Sequence, residues 1–261
     1  MKITLVQTAL FWEKPAENLA MFSKKLAALK RGQTDLVVLP EMFNTGFSMN
    51  TAALAEPMNG PTVRFLKKQA RRLDAAVTGS FICESKGQFF NRLVFATPDG
   101  KLKTYDKRHL FSLAGENAHF QNGKKRLVVE WRGWRICPLV CYDLRFPVFS
   151  RNIAGSEYDL LIFIANWPEP RIEHWKTLLR ARAIENLACT IGVNIIGHDG
   201  NGHEYTGDSA AIDHMGKTIW TATGHEALET VELELPPQNE WRTRFPALAD
   251  ADRFRMLNAE C

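Results

Sequence analysis

Short apolar runs alternate along this chain with longer stretches in which apolar positions recur at helical spacing. The first run predicts a strand over Lys2–Thr8. Leu19, Phe22, Leu26 and Leu29 then share one face and predict a helix over Pro15–Lys30, with Pro15 suited to its first turn and Gly32 to its end. Leu36-Val37-Val38-Leu39 predicts a strand over Asp35–Pro40, and its unbroken apolar character implies cover on both faces. Val63, Leu66, Ala70 and Leu73 predict a second helix opening at Pro61 after Asn59-Gly60. Strands are expected over Ala75–Cys83 and Phe89–Thr97, and Asp99-Gly100 signals a hairpin into Lys103-Thr104-Tyr105. The pattern next predicts the strand pair Leu127–Trp131 and Arg135–Cys141 around Gly133, then a helix after Pro147. A strand over Asp159–Ala165, a helix over Ile172–Asn186 and a strand over Cys189–Ile195 follow. Further strands are expected near Ser209–Asp213, Lys217–Thr221 and Glu229–Leu235. Such alternation places the chain in the α/β class, helices outside and sheet inside, and the number of strands implies two packed sheets. No repeat or linker interrupts residues 1–261, so a single domain is expected.

Composition matters here for what it excludes. An apolar fraction of 45% with 24% charged residues is that of an ordinary globular chain. The longest aliphatic-aromatic run, Leu160 to Ala165, falls far short of the ~20 residues a membrane helix needs. Met1-Lys2-Ile3 could open a secretory signal. Thr4, Gln7 and Thr8 interrupt its apolar segment, however, and Trp12-Glu13-Lys14 stands where a cleavage site of small residues belongs, so a cytoplasmic protein is expected. Charge counting gives 33 − 29 = +4. The basic clusters Lys67-Lys68 with Arg71-Arg72, and Lys124-Lys125-Arg126, lack interleaved aromatics, so neither nucleic acid nor membrane is expected as a partner. Five cysteines, an odd number, fit free thiols in a reducing compartment. On one strand, Cys137 and Cys141 would lie ~13 Å apart at ~3.3 Å per residue, against the ~7 Å limit for a disulfide.

Ligands of α/β folds bind beyond the carboxyl ends of strands, and three reactive residues fall there: Glu41, Lys107 and Cys141. Cys141 stands between a strand end and a helix start, where a helix N-terminus, a base or a cation can draw off the thiol proton. Cys83 is followed instead by the hairpin-like Glu84-Ser85-Lys86-Gly87, Cys189 lies inside an apolar strand, and Cys261 is terminal. Cysteine attack on a carbonyl needs a base for the proton and positive charge or donors for the oxyanion. Glu41 can be that base and Lys107 that cation, with the Tyr142 backbone N–H completing an oxyanion hole. Taken singly, each also fits a blander role: a core thiol, a loop-capping carboxylate, a surface cation beside Arg108.

Five blocks change this picture together. Pro40-Glu41 after an apolar strand, Tyr105-Asp106-Lys107-Arg108-His109-Leu110-Phe111, and Val140-Cys141-Tyr142-Asp143-Leu144-Arg145-Phe146-Pro147 are the first three. Asn166-Trp167-Pro168 and Arg180-Ala181-Arg182-Ala183-Ile184-Glu185-Asn186 complete the set. In this order, over about Lys2 to Leu235, they resemble the nitrilase (carbon–nitrogen hydrolase) superfamily. The resemblance implies a four-layer αββα sandwich that pairs into a homodimer, a Glu-Lys-Cys triad, and no metal or organic cofactor. Carried over, Glu41 is the general base, Lys107 the oxyanion stabiliser and Cys141 the nucleophile. Glu116, 141 − 116 = 25 residues before the cysteine, resembles the family's second glutamate, which would orient Lys107 and hold it charged. Phe43-Asn44-Thr45-Gly46-Phe47 and Leu144-Arg145-Phe146-Pro147 most resemble the ω-amidases. Those enzymes release ammonia from the terminal amide of 2-oxoglutaramate or 2-oxosuccinamate, downstream of glutamine-type transaminases that include one closing methionine salvage. Such a small-molecule amide carries a carboxylate, which calls for a guanidinium. Arg145 is the candidate, with Phe43 and Trp167 as candidate pocket walls.

The nearest alternative is an amidase for another carboxylated amide, deaminated glutathione or an N-carbamoyl amino acid; no feature favours nitriles. Gly207-Asp208-Ser209 superficially suggests a serine hydrolase, but Ala210-Ala211 follows and no Gly-x-Ser-x-Gly elbow exists. A non-catalytic binding protein would be expected to have lost a triad member. Gly197-His198-Asp199-Gly200-Asn201-Gly202 departs from the dinucleotide-binding pattern. His198, His203, His214 and His225 show no metal-ligand spacing and read as surface-loop residues.

Overall fold

A computed structural model describes residues 1–153, 155, 157–252 and 254. The first half of the chain forms β1 (Lys2–Gln7), α1 (Pro15–Leu26), β2 (Leu36–Val38), α2 (Thr51–Leu54), α3 (Pro61–Leu73), β3 (Ala76–Ser85), β4 (Gln88–Ala96), β5 (Leu102–Asp106) and α4 (Glu116–His119). The second half forms β6 (Val129–Trp131), β7 (Trp134–Val140), α5 (Pro147–Ser150), β8 (Leu160–Ile164), α6 (Ile172–Asn186), β9 (Cys189–Val193) and β10 (Ile196–His198). It closes with β11 (Glu204–Ile212), β12 (Thr218–Thr223), β13 (Ala227–Glu232) and α7 (Leu235–Arg244).

Two sheets result. The first has the order β13-β1-β2-β3-β4-β5; the second has the order β10-β11-β9-β8-β7-β6, with β12 also paired to β11. Each is built around a parallel triplet. Leu5 lies opposite Val38 and Val38 opposite Thr78 in the first, and Val140 opposite Ile164 and Ile164 opposite Val193 in the second. Within a triplet the strands succeed one another in one direction, so right-handed crossovers put the connecting helices on a single face. The opposite face of each sheet is left apolar and uncovered, and the two uncovered faces pack together. The outcome is a four-layer αββα sandwich, as the resemblance implied.

Side-chain alternation shows the division. Ile3, Leu5, Leu36, Val38, Leu93 and Phe95 join Ile136 and Val140 of the second sheet in the central core. Their neighbours Val6, Val37, Val77 and Val94 join Phe22, Leu26, Val63 and Leu66 of α1 and α3. Across the molecule, α6 sits so close on β9 that a Cβ at Gly192 would lie 2.4 Å from Leu179 Cδ1 and 2.7 Å from Trp175 Cζ2.

Several boundaries differ from expectation for physical reasons. The strand expected through Leu235 ends at Glu232, because Pro236 and Pro237 cannot donate to a ladder; they occupy the first turn of α7 instead. That helix buries only Gln238, whose amide accepts from Cys189 N and donates to Asp159 O. The elements α2, α4 and β10 are too short to express a period. No helix among the described residues is long and apolar enough to cross a membrane.

Candidate active site

The topology delivers several polar side chains to one rim. Because β4 reverses the chain and β5 reverses it again, β5 runs parallel to β2 and β3. Lys107, just past β5, therefore leaves the same edge as Glu41, which follows β2. Cys141 directly follows β7, Asn166 follows β8 and Asn194 follows β9, all at carboxyl ends. Met42 (φ 41°) and Cys141 (φ 46°) both hold left-handed backbone, which is costly for residues with a Cβ and concentrates at functional sites. Ser80 Oγ accepts the Met42 N–H at 2.9 Å and steadies the first of these turns.

At the centre is a fully buried ion cluster. Lys107 Nζ donates to Glu41 Oε1 at 2.9 Å and to Glu116 Oε1 and Oε2 at 3.0 and 2.9 Å, and all three residues are 0% exposed. Asn91 Nδ2 donates to Glu41 Oε1 at 2.8 Å and to Glu116 Oε1 at 3.2 Å. Asn166 supplies its backbone N–H to Glu41 Oε2 at 2.9 Å and its Nδ2 to the Glu41 carbonyl at 2.6 Å. Phe111 N–H holds Glu116 Oε2 at 2.6 Å. Burial alone would push the Lys107 ammonium down, but Glu116 and Glu41 outweigh it and hold it far above the ordinary lysine value. Burial, helped by Glu41 and opposed by Lys107, raises the Glu116 carboxyl.

Cys141 completes the cluster. Burial first, then the Glu41 charge, raises its thiol well above the ordinary value, with Lys107 pulling the other way and a hydrogen bond to Glu41 holding the proton. The residues after Cys141 form a five-residue 3-10 turn, Cys141–Arg145, and α5 begins only at Pro147. The surroundings of the sulfur thus favour the thiol over the thiolate, with the Glu41 carboxylate in contact. Asp143 fixes this turn against the lysine segment. Its Oδ2 accepts from Tyr105 OH at 2.7 Å and Val140 N at 3.0 Å; its Oδ1 accepts from His109 N at 3.0 Å and lies 2.8 Å from His109 Nδ1.

Cys141 opens on a cavity of about 500 Å³ with its mouth included, walled by Phe47, Phe111, Tyr142, Trp167 and Tyr205. Two arginines, Arg145 and Arg171, also line it, and neither has a carboxylate partner among the described residues. Arg145 stacks over Trp167 (4.7 Å to the ring centroid) with its Nη2 3.1 Å from His174 Nδ1, and Arg171 lies over Phe111 at 5.5 Å. Burial first, and the Arg171 charge with it, lowers the Arg145 guanidinium, while Tyr142 and Cys141 pull the other way.

Of the expected residues, Glu41, Lys107, Glu116 and Cys141 converge, and Tyr142, Arg145 and Trp167 line the cavity. Phe43 does not. It is fully buried on the helix side, 5.4 Å from the Phe22 ring and 5.9 Å from that of Phe65, where a Cβ at Gly79 would come within 2.8 Å of it. The wall is Phe47, beyond the left-handed turn. His203, an exposed loop residue as expected, also lines the cavity. Ser209 Oγ is spent on Asn194, accepting its N–H at 2.9 Å. Cys83, Cys137 and Cys189 are buried and in no disulfide among the described residues, and Cys261 lies outside the described residues. No group of three or more His, Cys, Asp or Glu side chains among the described residues could hold a metal ion. Arg171, Asn91, Asn166 and Asp143 were not anticipated. The Asn166-Trp167-Pro168 and Cys141–Pro147 blocks already contained two of them.

Comparison with known proteins agrees with this geometry. Residues 2–244 match the model of the carbon–nitrogen hydrolase family. The chain is 45% identical over 257 residues to the omega-amidase YafV of Escherichia coli K12, covering 98% of both. It is 31% identical to a 2-oxoglutaramate amidase of Bacillus subtilis, covering 95% of this chain and 96% of that one. The crystal structure of XC1258 from Xanthomonas campestris, a carbon–nitrogen hydrolase superfamily protein with an arsenic adduct in its active site, superposes with a TM-score of 0.95. It shares 48% identity, with 98% of each chain covered.

Proposed function

We propose, from the premise that this chain belongs to the carbon–nitrogen hydrolase family and is an amidohydrolase, that it is an ω-amidase. Its substrates are then 2-oxoglutaramate and 2-oxosuccinamate, and its products a 2-oxo dicarboxylate and ammonia. One observation carries the choice of substrate class: two guanidiniums without carboxylate partners among the described residues flank the cavity into which Cys141 opens. In a mostly apolar cavity their natural counter-ion is an entering carboxylate, which a guanidinium binds with paired hydrogen bonds.

Each residue takes a role from its position. Cys141 Sγ attacks the amide carbon while its proton passes to Glu41. Glu41 Oε1 is already occupied by Lys107 and Asn91, so Oε2, with a spare lone pair, receives that proton. Lys107 and the Tyr142 N–H stabilise the tetrahedral oxyanion, and Glu116 keeps the lysine charged and in place. The C–N bond breaks, nitrogen takes the proton from Glu41, and ammonia leaves a thioester on Cys141. Glu41 then removes a proton from water, the oxygen attacks the thioester, and the C–S bond breaks as sulfur recovers its proton. Pairing into a homodimer, a cytoplasmic location and service to methionine salvage belong to the same reading.

Ammonia release across 2-oxoglutaramate, 2-oxosuccinamate, glutamine, deaminated glutathione and an N-carbamoyl amino acid tests it. The first two should give the highest kcat/KM. A preference for deaminated glutathione, or carbon dioxide released from the carbamoyl substrate as the best reaction, overturns the substrate assignment. Arg171→Met should raise KM for 2-oxoglutaramate about 10- to 100-fold with kcat little changed, the loss of one charged hydrogen-bonding partner. A neutral amide of similar length should be hardly affected, and equal losses on both would contradict the carboxylate site.

A further inference from the structure

Asn91 touches every charged member of the buried cluster. Its backbone carbonyl accepts the Lys107 N–H at 3.0 Å, while its Nδ2 donates to Glu41 Oε1 and Glu116 Oε1 at 2.8 and 3.2 Å. The Oδ1 of the same amide is buried and has no hydrogen-bond partner among the described residues. An acceptor left unpaired in the interior forfeits its hydration, and an apolar side chain would avoid that loss. The compensating contacts are the two charge-assisted bonds to the carboxylates.

We propose that Asn91 is a positioning residue for the amide hydrolysis: its amide holds the Glu41 and Glu116 carboxylates in place around one ammonium. This rests on the reading of Glu41 as the base. Two carboxylates sharing a single buried cation repel each other, which favours protonating one of them. Besides Lys107, Asn91 is the donor the two share among the described residues. The other titratable groups facing the pair are Cys141 from the turn after β7 and Tyr205 from β11. Neither carries a positive charge that could substitute for the lost N–H. Removing a donor to the ionised form makes a coupled carboxylate pair take up a proton more readily, so the acid limb of activity should move to higher pH.

Asn91→Leu, close in volume and without a donor, is the test. Its kcat/KM for 2-oxoglutaramate at neutral pH should fall about 10- to 100-fold, and the acid limb of the profile should move up by about one pH unit. The acid limb of Cys141 alkylation by iodoacetamide should move the same way. That readout needs no substrate, so it separates failure of this inference from failure of the substrate assignment. Asn91→Ser, whose hydroxyl can still serve one carboxylate, should shift the limb by less, and it also serves if the leucine variant does not fold. Lower activity with both acid limbs unmoved, tracking only a lower Tm, would reduce Asn91 to scaffold and overturn the proposal.

Discussion

Cys141→Ala will lower kcat for ammonia release from 2-oxoglutaramate by about ten-thousand-fold or more while the protein still binds the substrate. The expected size follows from nucleophiles in comparable relays, whose loss removes nearly all covalent catalysis because base and oxyanion donors act only through them. Binding should survive, since Arg145, Arg171 and Trp167 are untouched and lie along the cavity wall. Cys141→Ser sharpens the point. It keeps the side-chain shape and a hydrogen bond toward Glu41, yet an alcohol is far less acidic than a thiol, and here burial and Glu41 already oppose ionisation. We expect it to be nearly as inactive as the alanine variant. Calorimetric titration of substrate into both variants, beside the ammonia assay, checks the split; wild-type turnover in Cys141→Ala would refute the covalent route.

Lys107→Met will be inactive and will also be strongly destabilised, a combination that Glu41→Gln will not share. Among the described residues the ammonium is the sole cation bonded to these two carboxylates, which are 0% exposed. Deleting it leaves both buried charges without a cation, and breaking a buried pair in this way costs about 3–5 kcal/mol. For a chain of this size that lowers Tm by roughly 10 °C. One carboxyl will take up a proton, which limits the loss. Glu41→Gln leaves the Lys107–Glu116 pair intact and removes a repelling charge, so its Tm should stay near wild type while activity falls about a thousand-fold through loss of the base. Adding Glu116→Gln to Lys107→Met should restore part of the Tm and none of the activity. Thermal melts and kcat on these three variants beside wild type decide this, and a Lys107→Met protein as stable as wild type would contradict the ion cluster.

What could be read from the residues alone depended on how many positions shared one constraint. The runs at Leu36–Leu39 and Leu160–Ile164 are covered on both faces and could be little else. Helix α6 begins and ends where expected, at Ile172 and Asn186, because a polar stretch and a left-handed Leu187 bound it. The reactive trio was legible because strand ends in an α/β fold converge. What escaped were choices made by single contacts. Phe43 and Phe47 are equally aromatic, and only the turn through Met42 and Gly46 decides that one packs on α1 and α3 while the other faces Cys141. Arg171 ends a single 3-10 turn, Glu169–Arg171, directly before α6, too short for a period to assign its direction. Asn91 looks like any polar residue in a strand until Glu41 and Glu116 are seen on either bond of its amide.

The central claim is that amide cleavage proceeds through an acyl group on one sulfur. Rapid acid quench of the enzyme during turnover of 2-oxoglutaramate, followed by peptide mass spectrometry, tests it most directly. The peptide containing Cys141 should carry the mass of the deaminated acyl group as a thioester that hydroxylamine removes. Steady ammonia release with that peptide unmodified, or with the adduct on another residue, would contradict the account.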